Sequence, residues 1–320
     1  MKPKLDKKDK KILEQLELNA RQSNSQIAKK VGLGKDSIAY RIKNLEKQKI
    51  ILGYYSILNI SKLGYITYKL MLTFQNTTSK IEEDIINSLK KNKIVGWLVS
   101  SDGYYNLMVV TWVKDSFEFD NFLKDFLRKY SKYIKERDII TITENHAYRK
   151  SFLFDKKKDD SQDVYYGREN KLDLGKIELK IIKLLADNSR IKLQEIANLL
   201  NLTGEAIAYR IKQLQKKNIL QAFRPIIDTS GLGYENYNIL FRLKRFNNIE
   251  KIFGFFRNNP NITYFVKYLG DYDIGIDLEV KNAKELRELI TQIKNLFSED
   301  IESYKPILIH QQHKLSYFPE

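Results

Sequence analysis

Residues 38–43 read IAYRIK, and the identical six residues recur at 207–212, 169 positions later. The same offset relates Ile27-Ala28 to Ile196-Ala197, and Leu63-Gly64-Tyr65 to Leu232-Gly233-Tyr234. Matches at one fixed offset over about sixty residues indicate two fused copies of one folded unit, with a period too long for a solenoid repeat. At roughly 150 residues, each copy has the size of one or two small domains.

Each copy begins with a pattern typical of three short helices. Residues 5–18 carry apolar side chains at helical spacing, and a second helix is expected to begin near Ser23 and to end near Gly32. The third helix is predicted over about 35–48, and in the second copy Thr203 is its expected N-cap. Three helices with a turn of this kind predict a helix-turn-helix, whose third helix lies in the major groove of DNA.

The remainder of each copy changes to alternating apolar and polar residues. The order β-α-β-β-α-β predicts a ferredoxin-like domain, in which both helices cover one face of a four-stranded antiparallel sheet, and the duplicate copy is the obvious cover for the other face. Strands are expected at 50–55, 65–74, 95–100, 106–113 and 139–144 and, in the second copy, at 236–244, 262–268, 273–280 and 304–311; helices are expected at 81–92, 116–133, 248–258 and 282–297.

The predicted class is therefore α+β, with two copies of a three-helix, winged-helix-like domain followed by a ferredoxin-like domain. The expected division is a first helix-turn-helix domain at 1–54, a first sensing and oligomerisation domain at 55–154, a polar linker at 155–171, a second helix-turn-helix domain at 172–224 and a second sensing domain at 225–320.

Positive charge is concentrated in the helix-turn-helix segments. Residues 1–54 carry 14 basic and 6 acidic side chains, residues 172–224 carry 10 and 5, and the whole chain has a net charge of +16. Such a distribution is typical of a nucleic-acid-binding protein, so double-stranded DNA is the expected partner. The alternative from charge alone is solubility, or a generally lysine-rich composition.

Composition also restricts the chemistry. The chain has no cysteine, which excludes disulfides, thiolate catalysis and cysteine-bound metal. The three histidines, His146, His310 and His313, match neither a metal pair nor a catalytic triad, so we expect no metal and no cofactor. The first residues lack a signal peptide and no segment has a membrane-spanning length, so we expect a cytoplasmic protein without membrane contact.

A series of short motifs runs through the first copy: Leu5-Asp6, Asp9, Ile12-Leu13, Asn19-Ala20-Arg21, Ser23, Ile27-Ala28, Val31-Gly32-Leu33, Tyr40-Arg41-Ile42, Gly53-Tyr54 and Leu63-Gly64-Tyr65. This series resembles the Lrp/AsnC family of transcriptional regulators, and the resemblance covers nearly the whole chain twice. It implies sequence-specific DNA binding and a ligand-sensing domain that pairs, here either within the chain or in a homodimer. In the second copy Glu178 replaces Asp9, and 221–223 differs from 52–54, so equal DNA affinity of the two modules is in question.

The outward face of each third helix supplies the candidate DNA contacts. Tyr40, Arg41, Tyr209 and Arg210 are the first candidates, because arginine bridges two acceptors on guanine or clamps a phosphate and tyrosine adds a hydroxyl and a ring. The alternative for these four is an ordinary solvated helix face that reflects shared ancestry. The other candidates, mainly for phosphate contact, are Lys35, Ser37, Lys43, Asn44, Lys47, Lys212, Gln213 and Lys216.

The resemblance also points to an effector site. Small effectors, often amino acids, bind in the family near a turn that reads Gly270-Asp271-Tyr272-Asp273 in the second copy, where a carboxylate can hold an ammonium group. The alternative is a hairpin turn that needs glycine at positive φ and aspartate as a local acceptor. The first copy has Gly103-Tyr104-Tyr105-Asn106 and is expected to sense nothing.

Two other functions share this architecture or charge. Siroheme decarboxylases have the same two-domain plan, but they need histidine and arginine in the sensing-type domain, and 96–100 and 264–267 contain neither. A protein that coats DNA without sequence choice also fits the charge. We therefore predict a regulator rather than an enzyme.

The mechanism expected from the sequence has two parts. The two modules engage successive major grooves, about 34 Å apart, and effector binding changes their spacing. Because the third helices begin differently, with Lys35-Asp36-Ser37 in one and Gly204-Glu205-Ala206 in the other, an asymmetric site is expected.

Overall fold

The computed structural model describes residues 5–154, 164–167, 169–316 and 318. The chain forms two compact units. Met1–Asn59, Tyr148–Val164 and Asp173–Tyr234 make the helix-turn-helix unit, and Ile60–Ala147, Tyr165–Leu172 and Glu235–Glu320 make the sheet unit. The two helix-turn-helix modules, predicted at 1–54 and 172–224, thus fall within one compact unit.

Six α-helices lie among the described residues of the helix-turn-helix unit. They are α1 (Lys7–Leu18), α2 (Asn24–Val31) and α3 (Lys35–Lys47) in the first module, and α6 (Lys176–Asp187), α7 (Leu193–Leu200) and α8 (Gly204–Lys216) in the second. Ser23 caps α2 as predicted, in a box with Gln26, and Gly32 ends it at φ 70°. Thr203 caps α8, as the sequence indicated.

One strand follows each third helix. Strand β1 (Ile51–Leu58) pairs antiparallel with β7 (Leu220–Ile227), so the strand of each module is completed by the other module. Strand β1 ends three residues beyond the predicted 50–55.

The sheet unit contains two β-α-β-β-α-β halves. The first consists of β2 (Ile66–Phe74), α4 (Ser79–Lys91), β3 (Val95–Asp102), β4 (Leu107–Val113), α5 (Ser116–Tyr130) and β5 (Ile134–Ala147). The second consists of β8 (Glu235–Leu243), α9 (Ile249–Asn258), β9 (Ile262–Leu269), β10 (Ile274–Val280), α10 (Ala283–Phe297) and β11 (Ile301–Leu315). This order confirms the ferredoxin-like prediction for both copies.

The two halves share one sheet. Its strand order is β2-β4-β3-β11-β8-β10-β9-β5, and β5 also pairs with β2, so the eight strands form a closed ring. The halves are joined at two equivalent seams, β3 with β11 and β5 with β9. Each half therefore uses its second strand to meet the fourth strand of the other half.

Alternate residues along the strands enter two different cores. Leu70 and Leu72 pack with Phe119 and Phe122 of α5 in a core between the first half's sheet and its helices. Met71 points the other way, into a core that combines both halves: Val99, Tyr105, Met108, Ile140, Leu240, Val266, Tyr268, Tyr272, Ile307 and Ile309. The second copy thus covers the open sheet face of the first, as the duplication suggested.

The structure differs from the sequence prediction in two strands and in the linker. Strands β5 and β11 have 14 and 15 residues, longer than the predicted 139–144 and 304–311. Their extra residues at the N-terminal end pair with β2 and β8 inside each half, and those at the C-terminal end pair across the seams. Within the predicted linker 155–171, Val164–Tyr166 (β6) forms a strand beside β5, while 155–163 lies outside the described residues. In the part of the chain that the structure describes, no helix is long and apolar enough to cross a membrane.

Candidate nucleic-acid interface

The two third helices expose the same aromatic residue. In α3 the side chains of Ile38, Ile42 and Leu45 are buried, which turns the opposite face outward. Tyr40 on this face is 72% exposed, and Tyr209 at the same place on α8 is 64% exposed. Large aromatic side chains that remain this exposed on a repeated helix face are available to a partner.

The polar residues predicted around these tyrosines lie on the same surfaces. All of them are exposed except Gln213, which is half-buried. The exposed residues are Lys35, Ser37, Lys43, Asn44 and Lys47 on α3 and Lys212 and Lys216 on α8. Each third helix therefore exposes one aromatic ring and at least two lysines.

Arg41 is half-buried in an ion pair, and its predicted contact with DNA stays a prediction. Its Nη1 donates to Asp6 Oδ2 and to Asp9 Oδ1, each at 2.7 Å, and this ties α3 to the start of α1. The two hydrogen bonds raise the pKa of Arg41. The backbone N–H of Asp9 and the bond to Arg41 lower the pKa of Asp6.

Arg210 is held in the same way, because its Nη1 forms an ion pair with Glu178 on α6. Glu178 occupies the position of Asp9 in the second copy, so each module keeps one acid-arginine pair between its first and third helices. The repeat of Tyr-Arg thus has two separate causes: the tyrosine is exposed, and the arginine fastens two helices. The matched charges at 9 and 41 and at 178 and 210 are the sequence signal for this pair.

Two other arginines, which were not among the predicted site residues, connect the modules. Arg21 Nη1 donates to the carbonyls of Ser189 at 2.6 Å and Ile191 at 3.0 Å. Arg190, at the equivalent place, donates from Nη1 to the carbonyl of Ala20 at 2.6 Å. Burial, followed by the charge of Arg190, lowers the pKa of Arg21.

These reciprocal bonds continue in the backbone. The N–H of Ala20 donates to the Phe223 carbonyl at 2.8 Å, and the N–H of Ser189 donates to the Tyr54 carbonyl at 3.1 Å. Together with the β1–β7 pairing, they hold the modules as one body with approximate two-fold symmetry. The expectation that an effector changes the spacing of the modules stays a prediction.

The Gly270 turn and the equivalent Gly103 turn of the first copy are each held by a hydrogen bond between a side chain and the backbone. Asp273 Oδ2 accepts from the backbone N–H of Leu243 at 2.7 Å, and Asn106 Oδ1 in the first copy accepts from the N–H of Phe74 at 2.8 Å. A neutral amide thus makes the same bond as the carboxylate, which favours the hairpin interpretation over an ammonium site at Asp273. Gly270 has a φ of 140°, a conformation in which glycine is favoured.

The other two residues of that turn point in different directions. Asp271 is an exposed partner of Arg242, with its Oδ1 3.6 Å from Nη2. Tyr272 is buried, and its hydroxyl lies 2.8 Å from the hydroxyl of Tyr105. The four predicted effector residues therefore do not converge on one open site.

A buried lysine was missed by sequence reasoning. Lys69 is 2% exposed, and its Nζ lies 2.8 Å from Asn238 Oδ1 and 3.4 Å from the hydroxyl of Tyr268. Burial lowers its pKa to about 8, although the charge of Asp277 acts in the opposite direction. The only signal in the sequence was a lysine at an inward position of a strand.

Comparison with known proteins agrees with the repeated helix-turn-helix. The family model described as winged helix-turn-helix DNA-binding matches residues 5–51 and again 174–221. An uncharacterised HTH-type transcriptional regulator of Pyrococcus horikoshii is 30% identical over 146 residues, which are 44% of this chain and 95% of the relative. The HTH-type transcriptional regulator LrpA of the same organism is 34% identical over 113 residues, which are 35% of this chain and 77% of LrpA.

A likeness in fold alone extends over both copies. The crystal structure of the siroheme decarboxylase NirDL covers 98% of this chain and 94% of its own, with a TM-score of 0.63 at 13% identity. The curated relatives, in contrast, match less than half of this chain with most of their own length, as expected for single-unit relatives of a doubled chain. The chain belongs to the Lrp/AsnC family of helix-turn-helix transcriptional regulators.

Proposed function

We propose that this protein is a sequence-specific DNA-binding transcriptional regulator whose two helix-turn-helix modules bind as one body. The observation that carries the proposal is the pair of exposed tyrosines, Tyr40 and Tyr209, on third helices that belong to one hydrogen-bonded unit. A third helix of this kind enters the major groove, and a two-fold pair of such helices meets two half-sites.

The charge of the same surfaces supports DNA as the partner. Lysines are exposed on the same helices as the tyrosines, and DNA releases condensed counterions when amines neutralise its phosphates. Arg41 and Arg210 are positioning residues. Each holds the third helix of its module against the first helix of the same module. We therefore assign base contact to the tyrosines and the start of each helix, and phosphate contact to the lysines.

The two modules are proposed to prefer different half-sites. The start of α3 presents Lys35 and Ser37, whereas the start of α8 presents Gly204 and Ala206. N-terminal residues of the recognition helix contact base edges. The chain thus reads a site whose halves are unlike, in an orientation that the β1–β7 pairing fixes.

Family membership extends the proposal to a small effector, such as an amino acid, that binds the sheet unit. Since the modules are hydrogen-bonded to each other, this effector acts on the helix-turn-helix unit as a whole. The protein needs access to chromosomal DNA, so we place it in the cytoplasm. Fluorescence anisotropy on the selected operator, with and without each of the common amino acids, tests the effector proposal.

The fold likeness to a siroheme decarboxylase is the reason to weigh an enzyme as well. The space between the two halves of the sheet unit is packed with apolar and aromatic side chains, including Met71, Met108 and Leu240. The buried cation in it, Lys69, is already bonded to Asn238. This packing supports the regulator, and we propose no catalytic role. A Soret shift on addition of siroheme would support the enzyme instead.

Selection from random DNA, followed by footprinting of the selected fragment, tests the proposal. We expect one protected site with two unlike half-sites in successive major grooves, about 34 Å apart. Uniform protection of any fragment would indicate an architectural protein that coats DNA. A strict palindrome centred on one chain would contradict the assignment of unlike half-sites.

A further inference from the structure

The inner faces of the two halves of the sheet unit meet at equivalent positions. Lys69 lies opposite Ile140 in the β2–β5 ladder, and Asn238 lies opposite Ile307 in the β8–β11 ladder. Lys69 and Asn238 are therefore the same position in the two copies. Their side chains nevertheless touch, at 2.8 Å, so this position lies next to the axis that relates the halves.

The charges around this contact are divided between the halves. Asn238 Nδ2 donates to Asp277 Oδ1 at 2.5 Å, so a carboxylate of the second half stands behind the partner of Lys69. In the first half Val110 takes the position of Asp277, since Val110 lies opposite Lys69 as Asp277 lies opposite Asn238. The first half thus supplies the cation here, and the second half supplies the acid.

At a second contact between the halves, the first half supplies the acid and the second half supplies the amine. The hydroxyls of Tyr105 and Tyr272 are 2.8 Å apart, and Tyr105 donates to Asp138. A hydrogen bond with the Tyr272 hydroxyl, together with the charge of Asp138, raises the pKa of Lys305. Asp138 and Lys305 are equivalent positions, because they lie opposite Met71 and Leu240.

The donors of this second contact run in one direction. Tyr105 donates to Asp138, so the Tyr272 hydroxyl donates to Tyr105, and the Lys305 amine lies 5.3 Å from the centroid of the Tyr272 ring. An amine at the Tyr272 end and a carboxylate at the Tyr105 end fit this direction of donation.

We propose that the inner face of each half is built to pair with the other half of the chain and to reject a second copy of itself. Two first halves would place Lys69 against Lys69 without a carboxylate, and two Tyr105 hydroxyls, each already donating to Asp138, would meet oxygen to oxygen. Two second halves would bring together two Asp277 carboxylates and two Lys305 amines. Only the unlike pair matches charge and donor direction at both contacts.

The backbone does not distinguish a pair of like halves from a pair of unlike halves. Both seams join a second strand to a fourth strand, so a like pair offers the same strand edges as an unlike pair. A duplicated chain with self-complementary edges would link to other chains, and the buried charges select against that outcome. The lowered pKa of Lys69 shows that its charged form is disfavoured by burial, as in other buried polar groups that specify pairing.

A charge exchange in the full chain tests the proposal. Asp138→Lys leaves two amines at the ends of the tyrosine pair, and Lys305→Asp leaves two carboxylates. We expect each single variant to lower the melting temperature by roughly 5 °C, and the double variant Asp138→Lys/Lys305→Asp to recover most of the loss. If the singles do not fold, the double is compared directly with the native chain and is expected to fold. A double variant no better than the sum of its singles would overturn the proposal.

A disulfide reporter measures the choice of partner separately. The native chain has no cysteine, so Ser100→Cys and Glu144→Cys can be introduced together without background. In the unlike pair, residue 100 lies opposite Gln311 and residue 144 opposite Lys267. In a pair of first halves, residue 144 of one chain would lie opposite residue 100 of the other, at disulfide distance.

The reporter chain is refolded at high concentration and oxidised, and covalent dimers are quantified on a non-reducing gel. We expect few dimers with the native inner faces, and about tenfold more when Lys69→Asn/Asp138→Asn makes the first half compatible with itself. The chain with Glu144→Cys and Lys267→Cys, opposite each other in the unlike pair, is the positive control for oxidation. An equal dimer yield in the native and the substituted background would contradict the proposal.

Discussion

Arg41 on α3 donates from Nη1 to Asp9 Oδ1 on α1 at 2.7 Å, and the second copy repeats this pair as Arg210 and Glu178. The arginine of the repeated sequence thus fixes the third helix, and the tyrosine before it remains exposed. We therefore expect a substitution of the arginine to change the stability of its module, and a substitution of the tyrosine to change the DNA affinity. The two effects can then be measured separately.

Arg41→Ala is expected to lower the free energy of unfolding by about 1 kcal/mol, because two carboxylates lose a partly buried partner. Urea denaturation measures this change. The native contribution should be present above the ordinary pKa of Asp6, near 3.8, and should disappear as the pH falls through its lowered folded value. Lys43→Ala, an exposed neighbour on the same helix, is the control and should leave stability unchanged.

Tyr40→Ala and Tyr209→Ala are each expected to weaken specific DNA binding about tenfold, because a large exposed ring leaves the groove surface. Fluorescence anisotropy on the selected operator measures the loss. Neither variant should change the melting temperature, since both side chains are mostly exposed. Full affinity in the double variant would remove α3 and α8 from the interface.

Lys43→Ala should weaken binding to operator and random DNA alike, because a phosphate contact carries no sequence information. The slope of log K against log salt is expected to become shallower by about 1. Lys80→Ala, on exposed α4 of the sheet unit, is the matched control for a change in net charge. An identical slope in both variants would show that Lys43 lies away from the DNA.

Arg21→Met with Arg190→Met should loosen the contact between the modules, because four backbone and side-chain acceptors lose their donors. We expect weaker binding to the complete operator, while a DNA fragment with one half-site binds as before. Limited proteolysis should also cut the helix-turn-helix unit of the double variant faster than that of the native chain. Unchanged affinity for the complete operator would mean that β1–β7 pairing alone holds them.

Sequence periodicity was sufficient for the order of helices and strands and for the duplication. It did not predict the β1–β7 ladder or the two seams, because those hydrogen bonds join segments more than a hundred residues apart. The helix pattern placed Tyr40 on an exposed face, but it did not predict the ion pair in which Arg41 is half-buried. A helix pattern shows in which direction a side chain leaves the helix. It does not show that Asp6 and Asp9 lie within hydrogen-bond distance of Arg41.

Lys69 gives the protein a specific pH dependence. Its pKa is lowered to about 8, below the ordinary lysine value of 10.5, so between these values the unfolded chain binds more protons than the folded chain. Stability from this group therefore rises with pH in that window, with a slope of up to about 1.4 kcal/mol per pH unit. Above pH 10 the raised pKa of buried Tyr268 acts in the opposite direction, so pH 8 to 10 is the useful range.

Lys69→Met removes this titration while nearly keeping the side-chain volume. Free energies of unfolding from urea denaturation at several pH values should rise less steeply between pH 8 and 10 in the variant than in the native chain. Lys80→Ala, which removes an exposed lysine, is expected to keep the native slope. Parallel curves for the native chain and Lys69→Met would mean that Lys69 titrates as an ordinary lysine, and that its burial does not disfavour the charge.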